Sequence, residues 1–144
     1  MSSPSTRVLV FGNDRHGCLG LGRPDRIVFE PRNLSPPPVK DGDTPSHWTQ
    51  IACGRCHTVA LSSKGEVFTW GRGDLGCLGH GGVLKRLRMI REDDWLQPIY
   101  HPADESDRYV PTKVMSLSGE TIVKVACGTD HTMALTEYGK LLGW

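Results

Sequence analysis

The segment with the clearest capacity for chemistry extends from Cys53 to His57 and consists of Cys-Gly-Arg-Cys-His. Two cysteines separated by two residues and followed by histidine have the spacing that attaches a c-type haem, and two such thiols can also bind a metal ion. Both interpretations require Cys56 as well as Cys53. Covalent haem attachment takes place in exported or organellar proteins, and the N-terminal residues lack the apolar core expected of a secretory signal. The haem interpretation is therefore weakly supported.

An internal repeat explains this segment better. The stretch ACGRCHTVALSSKGEVFTWG, residues 52–71, aligns with ACGTDHTMALTEYGKLLGW, residues 126–144. The two copies share cysteine, glycine, histidine, threonine, alanine and leucine at the same internal spacing, whereas the position of Cys56 is occupied by Asp130. Because the second cysteine is not part of the repeat, the pattern favours a structural repeat over haem or metal chemistry, and we expect no cofactor.

A second pair of segments overlaps the first pair. FGNDRHGCLGLG, residues 11–22, aligns with WGRGDLGCLGHG, residues 70–81. The repeats therefore divide the chain into the end of a first unit over residues 1–22, a complete unit over 23–81, and a second unit over 82–144 that has an insertion at 83–109 and is truncated at its C-terminal end.

Local patterns in both units are typical of short β-strands. HTVALS and HTMALT place apolar residues at alternate positions, as do EVFTWG and RVLVFG. SSKGE and TEYGK each contain one glycine between two such runs, as expected of a tight hairpin turn. The high glycine and proline content also favours many short elements over a few long helices. The sequence predicts an all-β closed repeat such as a β-propeller.

The repeated residues resemble the regulator of chromosome condensation repeat, whose unit has an A-C-G-x-x-H-T-x-A-L core, a later W-G and a following G-Q-L-G. Residues 52–79 follow this pattern almost throughout, residues 126–144 follow its first half and residues 7–22 follow its second half. Cys18 and Cys77 replace the usual glutamine, and Arg72 replaces a common asparagine. The resemblance implies a seven-bladed β-propeller in which each sequence unit is shared between two neighbouring blades. The chain would supply about two and a quarter repeats of that propeller.

The resemblance also implies structural roles for the repeated motif residues. These residues are Cys53, Gly54, His57, Trp70, Gly71, Gly76, Gly79, Cys127, Gly128, His131 and Trp144. We expect His57 and His131 to be buried, hydrogen-bonded residues that hold adjacent loops, and Trp70 and Trp144 to lie in the blade cores. A catalytic histidine is the alternative, but the presence of the same histidine in both copies favours a role in the scaffold.

Two classes of function are compatible with the sequence. The first is a protein-interaction scaffold, and the second is a guanine-nucleotide exchange factor for a small Ras-like GTPase such as Ran, as the resemblance implies. An accessory propeller of a ubiquitin ligase is a third interpretation. No hydrolase, kinase or phosphate-loop motif is present. With a net charge of +1, nucleic-acid binding is not favoured. We expect a chain without a membrane span, with reduced thiols, in the cytoplasm or nucleus.

The insertion is the best candidate for a partner contact, because function in repeat scaffolds usually resides in the segments that differ between units. Its basic cluster and tryptophan, residues of types frequent in binding hot spots, make up the candidate contact residues Arg86, Arg88, Arg91 and Trp95. The spacing of Leu84, Leu87 and Ile90 predicts a short amphipathic helix here. A solvated loop is the alternative.

A complete propeller of such units needs roughly 400 residues. With 144 residues, the sequence predicts open sheet edges and uncovered blade faces. Three explanations remain open. The chain is a fragment of a larger propeller protein, which we favour, or it associates with copies of itself, or it completes the propeller of another protein.

Overall fold

The computed structural model describes residues 7–24, 26–37, 46–81, 88–89 and 107–144. The prediction of an all-β fold is confirmed, since these residues form ten strands and one 3₁₀ turn. The strands are β1 (Leu9–Asn13), β2 (Ile27–Asn33), β3 (Trp48–Cys53), β4 (His57–Ser62), β5 (Val67–Gly71), β6 (Arg88–Met89), β7 (Arg108–Lys113), β8 (Ile122–Cys127), β9 (Thr132–Thr136) and β10 (Leu141–Gly143). The 3₁₀ turn covers Met115–Leu117. No helix in these ranges is long and apolar enough to cross a membrane.

The strands form three antiparallel sheets. The first sheet contains β1 and β2, the central sheet has the order β3-β4-β5-β7, and the third sheet has the order β6-β10-β9-β8. The strand triplets β3-β4-β5 and β8-β9-β10 correspond to the two aligned copies of the repeat. The internal repeat of the sequence is therefore a repeat of one three-stranded antiparallel unit.

The inner strands of the central sheet, β4 and β5, are buried on both faces, and β4 shows why. Its residues alternate between the two faces, as strand geometry requires, and all six are buried. Val59 and Leu61 belong to the apolar cluster shared with the third sheet, which includes Val125 and Ala134. Ala60 belongs to the cluster on the other face with Trp48, Trp70 and their neighbours. The three sheets consequently stack face to face, as propeller blades do.

Each sequence unit contributes strands to two sheets. Strand β7 follows the insertion in the sequence, yet it pairs with β5 as the fourth strand of the central sheet, with Thr112 opposite Thr69. The corresponding edge of the third sheet is the outer edge of β10. Strand β6 lies there, with Met89 opposite Leu142 and Arg88 opposite Gly143.

The prediction of a helix around residues 84–90 is therefore wrong for the two described residues of that segment, Arg88 and Met89, because they form a strand. An unpaired strand edge offers backbone donors and acceptors to any extended segment nearby, and this pairing outweighs a weak helical pattern. Arg88 lies in β6. The other three candidate contact residues, Arg86, Arg91 and Trp95, lie outside the described residues.

Two sheet faces expose apolar side chains whose counterparts are buried. Phe11 is 63% exposed, whereas Trp70, at the equivalent position of the next unit, is 1% exposed. Leu141 is 42% exposed, whereas its counterpart Val67 is 1% exposed. On the first sheet, Phe29 is the most exposed of these apolar residues. The outer faces of the first and third sheets thus have the apolar character of faces that pack against a further sheet.

Candidate functional site

The repeated histidine joins two neighbouring sheets. His57 is buried at the start of β4, and its Nε2 lies 3.0 Å from Oγ1 of Thr132 at the start of β9. The Thr132 hydroxyl donates to the carbonyl of Cys77 at 2.8 Å. Because the only hydroxyl proton is used there, Thr132 Oγ1 accepts from the Nε2–H of His57. We call the residues His57, Thr132 and Cys77 the inter-sheet joint.

The first interface repeats part of this joint. Thr58, the counterpart of Thr132, donates to the carbonyl of Cys18 at 2.9 Å, and Cys18 is the counterpart of Cys77. The same carbonyl also accepts from the indole Nε1 of Trp70 at 2.7 Å. A threonine hydroxyl on an inner strand thus anchors the glycine-rich turn of the preceding unit at both interfaces.

The two repeated tryptophans lie against glycines of that turn. A Cβ on Gly20 would lie 2.9 Å from Nε1 of Trp70, and a Cβ on Gly79 would lie 2.7 Å from Nε1 of Trp144. Trp70 is fully buried. Trp144 is partly buried against the core, and its Nε1 has no hydrogen-bond partner among the described residues. The glycines are therefore needed because an indole ring occupies the space of a side chain.

Gly54, in the turn between β3 and β4, and Gly71, at the end of β5, have a similar role. A Cβ on Gly54 would lie 2.2 Å from Cε1 of His57 and 2.7 Å from the carbonyl oxygen of Gly128. A Cβ on Gly71, whose φ is +106°, would lie 2.5 Å from the carbonyl oxygen of Cys56. Gly76 differs, because its φ is +74° but nothing lies within 4 Å of a Cβ there, so that glycine is required by backbone conformation alone.

His131 does not have the environment predicted for it. Its side chain is exposed, so the expectation of a buried histidine is wrong at this position. His57 is covered by Thr132 of the next sheet, but His131 lies on the outer face of the third sheet, where none of the described residues supplies an equivalent threonine. Burial of the repeated histidine thus depends on the presence of a following blade.

Sequence reasoning missed a second joint. Gln50 on β3 donates from Nε2 to the carbonyl of Val125 at 2.9 Å and accepts at Oε1 from the Val125 amide at 3.0 Å. The counterpart of Gln50 in the second copy is Lys124, so the repeat alignment gave no signal. A single amide side chain therefore satisfies the backbone of one residue in the neighbouring sheet.

Comparison with known proteins agrees with this geometry. The family model for the regulator of chromosome condensation (RCC1) repeat matches residues 6–61 and 64–135, and a second model of the same repeat matches residues 48–77. The chain belongs to the RCC1 repeat family. The resemblance noted from the sequence is thereby confirmed.

Relatives of this RCC1-repeat chain are much longer proteins. It is 31% identical over 137 residues to the probable E3 ubiquitin-protein ligase HERC4 of Rattus norvegicus, covering 95% of this chain and 10% of that protein. It is 36% identical over 135 residues to the ultraviolet-B receptor UVR8 of Arabidopsis thaliana, covering 93% of this chain and 24% of the receptor. The chain thus spans a tenth to a quarter of these curated relatives.

Solved structures confirm the RCC1-type propeller fold. The structure of Prp20p from Saccharomyces cerevisiae superposes with a TM-score of 0.65 at 22% identity, covering 99% of this chain and 30% of that one. Human WBSCR16 superposes with a TM-score of 0.67 at 23% identity, covering 97% and 29% of the two chains. The three sheets are therefore RCC1-type propeller blades.

The cysteines of this RCC1-repeat chain form no metal site among the described residues. All five are free thiols. In the ranges that the structure describes, no group of three or more histidine, cysteine, aspartate or glutamate side chains is arranged to hold a metal ion. Burial raises the pKa of three thiols, those of Cys18, Cys77 and Cys127, to about 11. Cys53 is exposed and Cys56 is half-buried.

The buried histidine predicts a pH dependence of stability. Burial lowers the pKa of His57 below its ordinary value of 6.5, and this exceeds the opposing effects of the His131 backbone and the Asp130 carboxylate. Below pH 6.5 the unfolded chain therefore binds a proton that the folded chain does not, so the free energy of unfolding falls as the pH is lowered. Urea unfolding across this range measures the slope. In His57→Gln this part of the slope should disappear, and an unchanged slope would contradict the assignment.

Proposed function

We propose that the chain is a protein-interaction scaffold built from RCC1-type propeller blades. The observation that supports this most directly is how the motif residues are used. The repeated histidine, threonine and tryptophan side chains of the central sheet make hydrogen bonds to the neighbouring sheets. The repeated glycines leave the space that the rings occupy. Side chains that make these contacts are not free to bind a substrate. A partner protein would therefore be recognised by the segments that differ between repeats.

The partner contact is the insertion at 83–109. Arginine and tryptophan contribute most where they are buried in an interface, and the insertion supplies Arg86, Arg88, Arg91 and Trp95. Strand β6 of the insertion pairs with β10 of the third sheet, and β7, which begins with the last residues of the insertion, pairs with β5 of the central sheet. A partner bound there would contact the rim of the propeller.

Quantitative affinity purification with chemical crosslinking tests this assignment. The variant R86A/R88A/R91A/W95A should lose the specific partner by about tenfold or more. The matched control R15A/R23A/R32A/Y138A removes three exposed arginines and one exposed aromatic residue elsewhere, and it should retain the partner. Equal loss in both variants would show that the insertion is not the contact, and a wild-type chain with no specific partner would overturn the scaffold proposal.

A guanine-nucleotide exchange factor is the second candidate. The observation that favours it is the structural likeness to Prp20p, a protein whose structure was described with its binding to Gsp1p and histones. Exchange would act by stabilising a nucleotide-free GTPase, which requires an extended binding face and no catalytic group. The test is the rate of GDP release from a panel of small GTPases loaded with fluorescent GDP. Accelerated release by this chain supports exchange, and no acceleration across the panel rejects it for the chain.

Further blades cover the outer faces of the first and third sheets. The apolar residues exposed there support this proposal, above all Phe11, Phe29 and Leu141. The blades belong to a longer protein of which this chain is part, to a second copy, or to another propeller protein. Light scattering separates the alternatives in part, because self-association gives a mass above 15.9 kDa that depends on concentration. A concentration-independent monomer would exclude association between copies.

A further inference from the structure

The first sheet is an incomplete blade. Strand β1 aligns with β5 in the repeat, and β2 pairs with β1 as β7 pairs with β5. The Leu34 amide after β2 donates to the Val8 carbonyl at 2.8 Å, and the Val114 amide after β7 donates to the Val67 carbonyl at 2.9 Å. The other edge of β5 pairs with β4, whereas the other edge of β1 has no partner among the described strands. The first sheet therefore lacks the two inner strands of a blade.

A groove follows the open edge of β1. Its volume is about 450 Å³, and Trp48 and Ile51 of the central sheet lie in its wall. At the second interface Val125, the counterpart of Ile51, belongs to one apolar cluster with Val59 and Leu61 of β4. The groove therefore occupies the position of the apolar side chains that a missing inner strand would supply.

The inter-sheet joint at this groove lacks its histidine. Thr58 in the groove wall donates to the Cys18 carbonyl at 2.9 Å, as Thr132 donates to the Cys77 carbonyl at 2.8 Å. Thr132 also lies 3.0 Å from His57, which donates to it. None of the described residues donates to the Thr58 hydroxyl oxygen in this way. The groove is thus suited to a strand that begins with a histidine.

The third sheet has such a strand on its outer face. Its hairpin β8-β9 is the second copy of β3-β4. His131 at the start of this β9 segment is exposed, and Met133 and Leu135, the counterparts of Val59 and Leu61, are only half-buried. These three side chains share one face of the strand, because residues alternate between faces. The third sheet therefore exposes the groups that the groove lacks.

We propose that copies of the chain associate by strand exchange, with β1 and β2 of one copy pairing to β9 of another in place of β10 and β6. The product is a four-stranded blade of order β8-β9-β1-β2, equivalent to the order of the central sheet. Longer strands replace shorter ones, since β10 and β6 have three and two residues whereas β1 and β2 have five and seven. The proposal assigns the open faces to a second copy. Because it does not depend on a partner bound at the insertion, its failure would leave the scaffold proposal standing.

The repeat predicts the register of the exchanged strands. In the central sheet Thr58 on β4 lies opposite Trp70 on β5. Their counterparts are Thr132 on β9 and Phe11 on β1, so these two residues would lie opposite each other. Phe11 would then occupy the place of Trp144. Since Phe11 is 63% exposed in a single copy, the exchange would remove a large apolar surface from water.

The exchange would also complete the joint at the first interface. His131 of one copy would lie beside Thr58 of the other, as His57 lies beside Thr132. Its Nε2–H would donate to the Thr58 oxygen, and the apolar residues of β9 would enter the groove beside β1. The contact joins opposite ends of two copies and is therefore heterologous, so association continues until a ring closes or a chain extends.

Light scattering of the full chain over a range of concentrations is the first test. Strand exchange predicts a mass above 15.9 kDa that rises with concentration in steps of one chain. A mass that stays at 15.9 kDa at every concentration would overturn the proposal.

Photocrosslinking then locates the contact. One copy carries a benzophenone side chain in place of Phe11, and it is mixed with an isotope-labelled copy of natural sequence. We expect links between labelled and unlabelled peptides at β9 and at residues 76–79, because Trp144 lies against Gly79 in the unexchanged sheet. Copies that associate but are linked at other strands would overturn the exchange.

Two variants test the side chains without disturbing a single copy. His131→Ala should weaken association about fivefold, the cost of one hydrogen bond, and its side chain is exposed before exchange. Phe11→Ala should weaken association about tenfold or more, because the exchange buries an aromatic residue. The control Tyr138→Ala removes an aromatic residue that is 86% exposed and lies outside the strands, and it should leave association unchanged. Equal effects in all three variants, or none in any, would contradict the proposal.

Discussion

Substitution of Gly54 by alanine should lower the free energy of unfolding by about 3 kcal/mol or more, which places it among the large destabilising changes. The added Cβ would lie 2.2 Å from Cε1 of His57 and 2.7 Å from the carbonyl oxygen of Gly128. Neither atom can move easily, since His57 is buried and bonded to Thr132. The other atom is backbone of the neighbouring sheet. Urea unfolding followed by tryptophan fluorescence measures the loss.

Gly139→Ala is the control for this prediction. Gly139 has a φ of +79°, but nothing lies within 4 Å of a Cβ there. The substitution therefore introduces backbone strain without a steric clash, and it should lower the free energy of unfolding by only about 1 kcal/mol. If Gly54→Ala is no more destabilising than Gly139→Ala, the sheets are not packed as closely at the hairpin as the structure describes.

Substitution of Trp70 by alanine should destabilise the chain by about 4 kcal/mol, the cost expected for a large aromatic residue removed from a core. Trp70 is 1% exposed and packs at 6.2 Å from Trp48, ring centroid to ring centroid. Its indole also donates to the Cys18 carbonyl of the preceding unit. The substitution removes core volume and one of the two hydrogen bonds to that turn. Thermal and urea unfolding both measure the effect.

Two further variants separate the contributions to this loss. Trp70→Phe introduces the residue that the first unit has at the equivalent position, Phe11, and keeps most of the apolar volume. It should cost about half as much as Trp70→Ala, because the hydrogen bond to Cys18 is lost. Tyr138→Ala, at a residue that is 86% exposed, should change stability by less than about 0.5 kcal/mol. A similar cost at Tyr138 and Trp70 would contradict the burial of Trp70.

The repeat alignment predicted the blade scaffold because its residues satisfy constraints that recur at each interface. A glycine is required wherever a histidine or tryptophan ring fills the space of a side chain, as at Gly54 and Gly79. Strand alternation is equally visible, since the residues of β4 face two different apolar clusters. These features depend on local sequence and on an identical neighbour, so two copies in one chain were enough to identify them.

Features that occur once were not predictable in the same way. Gln50 joins two sheets, but its counterpart is Lys124, so it carries no repeat signal. Strand β6 forms because the edge of β10 is open, and its sequence carries no strand pattern of its own. His131 is exposed because the environment of the motif depends on the sheet that follows. The periodicity of a segment indicates its own secondary structure, but it does not show which strand or sheet packs beside that segment.

The central claim is that the repeated motif joins neighbouring blades, and a double-mutant cycle between His57 and Thr132 tests it most directly. The variants are His57→Ala, Thr132→Val and the double variant, each measured by urea unfolding. The 3.0 Å contact between the two side chains predicts a coupling free energy of about 1 kcal/mol or more. Additive effects of the two substitutions, with no coupling, would show that the histidine does not hold the sheets together and would contradict the account.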